Sequence, residues 1–153
     1  MKMKQVGYRM QEEGVNRFLG SLESRIMELM WESEDWMNVH QLREGLKEEY
    51  DYSVNTIMTV LNRLADKGII KKQAGGRGRS KLAQFKVVVS REAFIKEQTR
   101  NVTEGLVKDF GEVIVAHMID VLEEVDPQLL QKVELKLQEA KQRNQHEKNS
   151  KSS

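Results

Sequence analysis

The sequence predicts a mainly α-helical fold with a small β-hairpin, and three observations carry that prediction. Short amphipathic helical patterns follow one another between residues 21 and 66. Gly68 then opens a basic stretch with strand-like alternation, ending near Val88. From residue 90 onward apolar residues recur at helical spacing with no further strand pattern.

Residues 1–18 show no sustained period and are expected to form an accessory arm. Ser21 is the expected N-cap of the first helix. Its Leu22, Ile26, Leu29 and Met30 make one apolar stripe at i, i+4, i+7 and i+8, closed by Trp31. After a turn from Glu32 to Met37, Asn38 caps a second helix, with Val39, Leu42 and Leu46 on one face and an end near Glu49. The link Tyr50-Asp51-Tyr52 is short, so a third helix, capped by Ser53, lies at an angle to the second. Ile57, Val60, Leu61 and Leu64 share its inner face. Asn55, Thr59, Asn62 and Asp66 point the other way, with Met58 and Arg63 on the flanks. Gly68 stands where a left-handed C′ residue is expected. Ile69 to Gln73 and Lys81 to Val88 read as two strands joined by the turn Ala74 to Ser80. Ala83, Phe85 and Val87 alternate along the second with Leu82, Gln84 and Lys86, so one face is buried and the other wet. Three helices followed by a basic hairpin is the order of a winged helix-turn-helix, assigned to residues 19–89.

The second half is helical throughout. Ser90 caps a helix to about Lys108, weakened at its end by Gly105. The next runs from Glu112 to Glu124 and is too apolar for an isolated surface helix. Asp126-Pro127 places an N-cap before a proline at the first helical position of a third. Residues 90–142 are therefore expected to form a helical dimerisation region, with Val113, Ile114, Met118, Ile119, Leu122, Leu130, Val133 and Leu137 at the contact. The polar stretch 143–153 is expected to be a disordered tail.

Charge placement narrows the function. The 153 residues carry a net charge of only +1, yet eight basic residues lie between Arg63 and Lys86 against one acid, Asp66. Binding to a polyanion depends on where charge clusters rather than on its sum. The turn Gly75-Gly76-Arg77-Gly78-Arg79-Ser80-Lys81 puts three cations on a tip whose glycines let a backbone approach closely. It has neither G-x-G-x-x-G nor the G-K-[ST] ending of a phosphate loop, so nucleic acid is the better partner than a nucleotide. An α-helix fits the major groove, where Asn55 can pair with adenine, and Thr56 and Thr59 offer hydroxyls to phosphate or methyls to thymine. An ordinary solvated helix face has the same composition; the basic hairpin immediately downstream is what distinguishes this one.

Other chemistries find little support. The chain has no cysteine, which removes disulfides, thiolate nucleophiles and cysteine-based metal sites. Its three histidines, His40, His117 and His146, are too far apart in sequence to suggest a ligand set. There is no G-x-S-x-G, and no catalytic residue, metal or cofactor is expected. No apolar run approaches the roughly 20 residues of a membrane span, and no apolar signal segment opens the sequence, so a cytoplasmic location without membrane contact is expected.

Three blocks resemble the BlaI/MecI/CopY family of bacterial repressors, of the penicillinase-repressor type. They are Leu19-Gly20-Ser21-Leu22-Glu23 through Ile26-Met27-Glu28 to Trp31; Val39 to Leu46; and Ser53-x-x-Thr56-Ile57-Met58-Thr59-Val60-Leu61-Asn62-Arg63-Leu64 with Lys67-Gly68-Ile69-Ile70. The resemblance implies a homodimer that binds a palindromic operator in double-stranded DNA and blocks transcription. It implies that Asn55, Thr56, Met58 and Thr59 face the groove, Arg63 the backbone, and Arg77, Arg79 and Lys81 the flanking phosphates, with the helix cap Ser53 also among the DNA-binding residues. Met58 stands where some members carry a longer basic residue. In the penicillinase-type branch a sensor or protease relieves repression by cleavage in the C-terminal half. The copper-responsive branch uses a cysteine-rich site, which a chain without cysteine excludes. Two alternatives remain: a winged-helix module for protein interaction, whose hairpin meets an acidic partner, and a small-molecule sensor with a pocket near Met118 to Leu122.

Overall fold

The computed structural model describes residues 7–49, 51–75 and 82–151. The chain divides into two compact units, Met1–Val102 and Thr103–Ser153.

The first unit is a winged helix. Helix α1, Ser21–Ser33, starts one residue earlier than the capping pattern suggests, with Gly20 rather than Ser21 at the N-cap, and buries Ser24, Ile26, Met27, Met30 and Trp31. It stops where Glu34 turns left-handed at φ 55° and returns its N–H to the Met30 carbonyl. Helix α2, Val39–Leu46, begins in a reciprocal capping box: Asn38 accepts from the Gln41 N–H while the Gln41 side chain accepts from the Asn38 N–H. Gly45 lets α2 approach α1 closely, since a Cβ there would lie 3.0 Å from Leu29. Helix α3, Val54–Asp66, is capped by Ser53 as its sequence predicts and buries Ile57, Val60, Leu61 and Leu64. Gly68, at φ 79°, turns the chain into β2, Ile70–Gln73.

The sheet is larger than the hairpin read from the sequence. Strand β3, Gln84–Val87, pairs antiparallel with β2 on one side and with β1, Met37–Asn38, on the other, giving the order β1-β3-β2. The register sets Ile70 opposite Val87, Lys71 opposite Lys86 and Lys72 opposite Phe85, while Met37 meets Phe85 from the far side. Met37 thus lies in a strand rather than in the turn expected from Glu32 to Met37, because a two-residue strand has no period of its own.

Two boundaries also differ from expectation, each for a packing reason. Residues before 19 were expected to stand apart as an arm, yet Val15 and Phe18 belong to the buried core. A 3-10 turn, Gly14–Arg17, brings them in, and Tyr8 packs edge-on against Phe18 at 5.6 Å. At the other end, helix α4, Arg91–Val125, contributes its first turns to the same unit through buried Phe94 and Gln98. Phe94 sits between Phe18 and Trp31, at 6.3 and 5.6 Å between ring centroids. The Trp31 indole N–H donates to the Val89 carbonyl at 3.0 Å, closing this joint. The compact unit thus extends past residue 89, to Val102.

In the second unit, helical geometry breaks at Phe110, with φ −131° and ψ 15°, between the two helices that the sequence pattern separates. Helix α5, Gln128–Lys151, continues through the polar stretch that was expected to be a disordered tail from residue 143. Its Lys, Arg, Gln and Glu residues have good helix propensity, which a low apolar content does not reveal.

Candidate nucleic-acid interface

The candidate interface is built on α3. Its apolar stripe anchors it to the core, so the opposite side, Asn55, Thr56, Thr59, Asn62, Arg63 and Asp66, stands exposed. Met58 is half-buried and packs against the core cluster, so only part of its side chain is presented outward.

Hydrogen bonds divide the polar residues by what they have left to offer. The Ser53 hydroxyl accepts from the Thr56 N–H at 3.2 Å and pairs with the Thr56 hydroxyl at 3.0 Å, so both belong to the helix cap. The Thr59 hydroxyl donates to the Asn55 carbonyl at 2.9 Å. Its single proton is therefore used within the helix, leaving a methyl and an acceptor. The Asn55 amide forms no hydrogen bond among the described residues, so both its donors and its acceptor face solvent. The residue types were legible in the sequence; this allocation was not.

The basic cluster divides in the same way. The Lys67 ammonium lies 2.9 Å from Glu23, with only 30% of its side chain and 14% of that of Glu23 exposed. Lys67 thus serves the core rather than the surface. Lys72 lies on the same face of the sheet as Phe85, with its ammonium 5.8 Å from that ring and 3.3 Å from Asn62 Oδ1. This contact places a cation beside the outer face of α3 and joins the helix to the sheet, a role that neither periodicity nor charge counting could assign. Arg63 is exposed and in no ion pair among the described residues. Arg77, Arg79 and Lys81 lie outside the described residues.

The penicillinase repressor family model matches residues 19–139, well over half of the chain. The chain belongs to the penicillinase repressor family. Its similarity to the transcriptional regulator BlaI from two strains of Mycobacterium tuberculosis is 38% identity over 52 residues, covering 34% of this chain. The aligned segment spans 38% of the length of those curated relatives. Among solved structures, the zinc-responsive MarR family member ZitR of Lactococcus lactis is 15% identical, over 79% of this chain and 83% of that one, with a TM-score of 0.38. The adhesin competence repressor AdcR of Streptococcus pyogenes is 15% identical over 71% and 82%, with a TM-score of 0.37. These two likenesses are distant, and the family match is what decides membership.

In this penicillinase repressor family member, the residues expected at a dimer contact lie in the second unit and are incompletely covered by their own chain. Val113, Met118, Ile119, Val133 and Leu137 are exposed, at 37–56%. Ile114, Leu122 and Leu130 are half-buried. No residue of α5 is buried. Among the described residues, no group of three or more His, Asp or Glu is placed to hold a metal ion, and no helix is long and apolar enough to cross a membrane.

Proposed function

We propose that this chain is a DNA-binding transcriptional repressor that acts as a homodimer on a palindromic operator. The observation that carries the reading is α3 itself: a firmly anchored helix whose exposed side holds an uncommitted Asn55 amide and a Thr59 methyl, bordered by the cations Arg63 and Lys72. Such a helix enters the major groove, where an amide pairs with adenine and a methyl meets the thymine methyl. Family membership supports the same role.

In this reading Asn55, Thr56, Met58 and Thr59 face base edges. Ser53 holds the helix N-terminus toward a phosphate, and Arg63 contacts the backbone. Arg77, Arg79 and Lys81 meet flanking phosphates from the hairpin tip. The apolar side chains left open between Val113 and Leu137 would each be covered by a second copy. Two-fold symmetry then sets half-sites about one helical turn apart, or a multiple of it. A sensor or protease that relieves repression is the further partner, and the cytoplasm the location.

Selection of bound fragments from genomic DNA, followed by gel-shift titration at several salt concentrations, tests the function. Enrichment of an inverted repeat, with affinity falling steeply as salt rises, is expected. Binding without sequence preference would instead favour a protein-interaction module, and a thermal shift with a small ligand in place of operator binding would favour a sensor.

A further inference from the structure

The outer face of the sheet carries an arrangement that the recognition helix does not use. Lys71 on β2 and Lys86 on β3 are directly opposed across the strand pair. Like charges so placed repel. Neither has a carboxylate partner among the described residues, whereas Lys67, a few positions earlier, is paired with Glu23. The Lys71 ammonium instead lies 5.3 Å from the centroid of the Trp36 ring. Trp36 immediately precedes β1, whose Met37 is opposite Phe85, so its ring reaches the face shared by Lys71 and Lys86 from the far edge of the sheet. That face is the reverse of the one on which Phe85 is buried. An indole can attract a cation but cannot neutralise it, so the repulsion between the two lysines is left for an anion to relieve.

We propose that Trp36, Lys71 and Lys86 form a second phosphate-binding surface that holds duplex DNA outside the sequence read by α3. The occupant follows from charge and continuity. The two lysines lie on the strands that precede and follow, in sequence, the segment carrying Arg77, Arg79 and Lys81, so they prolong a run of one sign of charge along the chain. A duplex long enough to pass the operator supplies phosphates at regular spacing along that prolongation. This inference rests on the DNA-binding reading above, and it adds a dependence on flanking length that the recognition helix alone does not require.

Two duplexes share one operator in the test: one ends at the operator, the other continues for about ten base pairs of mixed sequence on each side, roughly one helical turn. Wild-type and K71Q/K86Q proteins are titrated against both by fluorescence anisotropy over a range of salt. On the extended duplex the double variant is expected to lose roughly tenfold in affinity, and its slope of log K against log salt to fall by about one to two. On the short duplex the two proteins should bind alike. The melting temperature of the variant should be unchanged or higher, because a repulsive pair has been removed. Equal affinity and slope on the extended duplex would overturn the proposal, as would an equal loss on both. So would unaltered DNA binding combined with lost binding to polyglutamate, which would assign the face to an acidic protein. If the wild-type protein selects no operator at all, it is the DNA-binding reading that fails.

Discussion

The ammonium of Lys67 lies 2.9 Å from a carboxylate oxygen of Glu23, tying the end of α3 to the first turn of α1. The pair engages one cation of the basic cluster within the protein itself. Lys67→Met leaves a largely covered carboxylate unpaired and is expected to cost about 1–3 kcal/mol, between the values for exposed and buried pairs. Urea unfolding measures that loss. The same variant should leave the salt slope of DNA binding unchanged, whereas Arg63→Gln should lower it by about one.

Ser53 caps α3 and also holds the Thr56 hydroxyl. Ser53→Ala is expected to destabilise the protein by about 1 kcal/mol. The first turn of α3 would fray with it, so operator affinity should fall by more than a loss of stability alone explains. Comparing the midpoint of thermal unfolding with operator affinity at a temperature where the variant remains folded separates the two effects.

Thr59 and Asn55 should fail in different ways. Because the Thr59 hydroxyl donates within the helix, Thr59→Val keeps the outward methyl and should retain most of the affinity. Thr59→Ser removes the methyl and should lose more. Asn55→Ala removes the uncommitted amide and is expected to cost about 1–3 kcal/mol of discrimination at one base position. Competition binding with operators altered one base pair at a time shows whether that loss is confined to one position.

The second unit predicts an assembly phenotype. Ile119 and Met118 stand exposed on a helix rich in apolar residues, and a charge there opposes association without disturbing a covered core. Ile119→Glu is expected to shift the protein toward monomer in sedimentation at micromolar concentration. Its affinity for the full palindrome should drop well below that of wild type, while binding to an isolated half-site changes little.

Much of this could be read from the chain because local signals and tertiary packing agree. The Ser53 and Asn38 caps, the stripe Ile57, Val60, Leu61 and Leu64, and the left-handed Gly68 each have a mechanism that works within a few residues. What escaped depends on distant partners. Strand β1 exists only because β3 offers Met37 and Asn38 an open edge. Phe18 meets in the core a partner from many residues later, Phe94, which completes an aromatic cluster with Phe18 and Trp31. The basic cluster was visible as a sum, but its division among Glu23, Asn62 and the Trp36 ring needed three dimensions. The polar end of α5 shows the converse: helix propensity and solvation sustain a helix with no buried face to announce it.

The central claim is that α3 reads sequence, and selection of genomic fragments by wild-type protein beside the Asn55→Ala variant tests it most directly. Wild type is predicted to enrich an inverted repeat with half-sites about one helical turn apart or a multiple of it. The variant is predicted to enrich the same repeat with one position per half-site relaxed. Enrichment of no common sequence, or a common sequence that Asn55→Ala leaves unaltered at every position, would contradict the account.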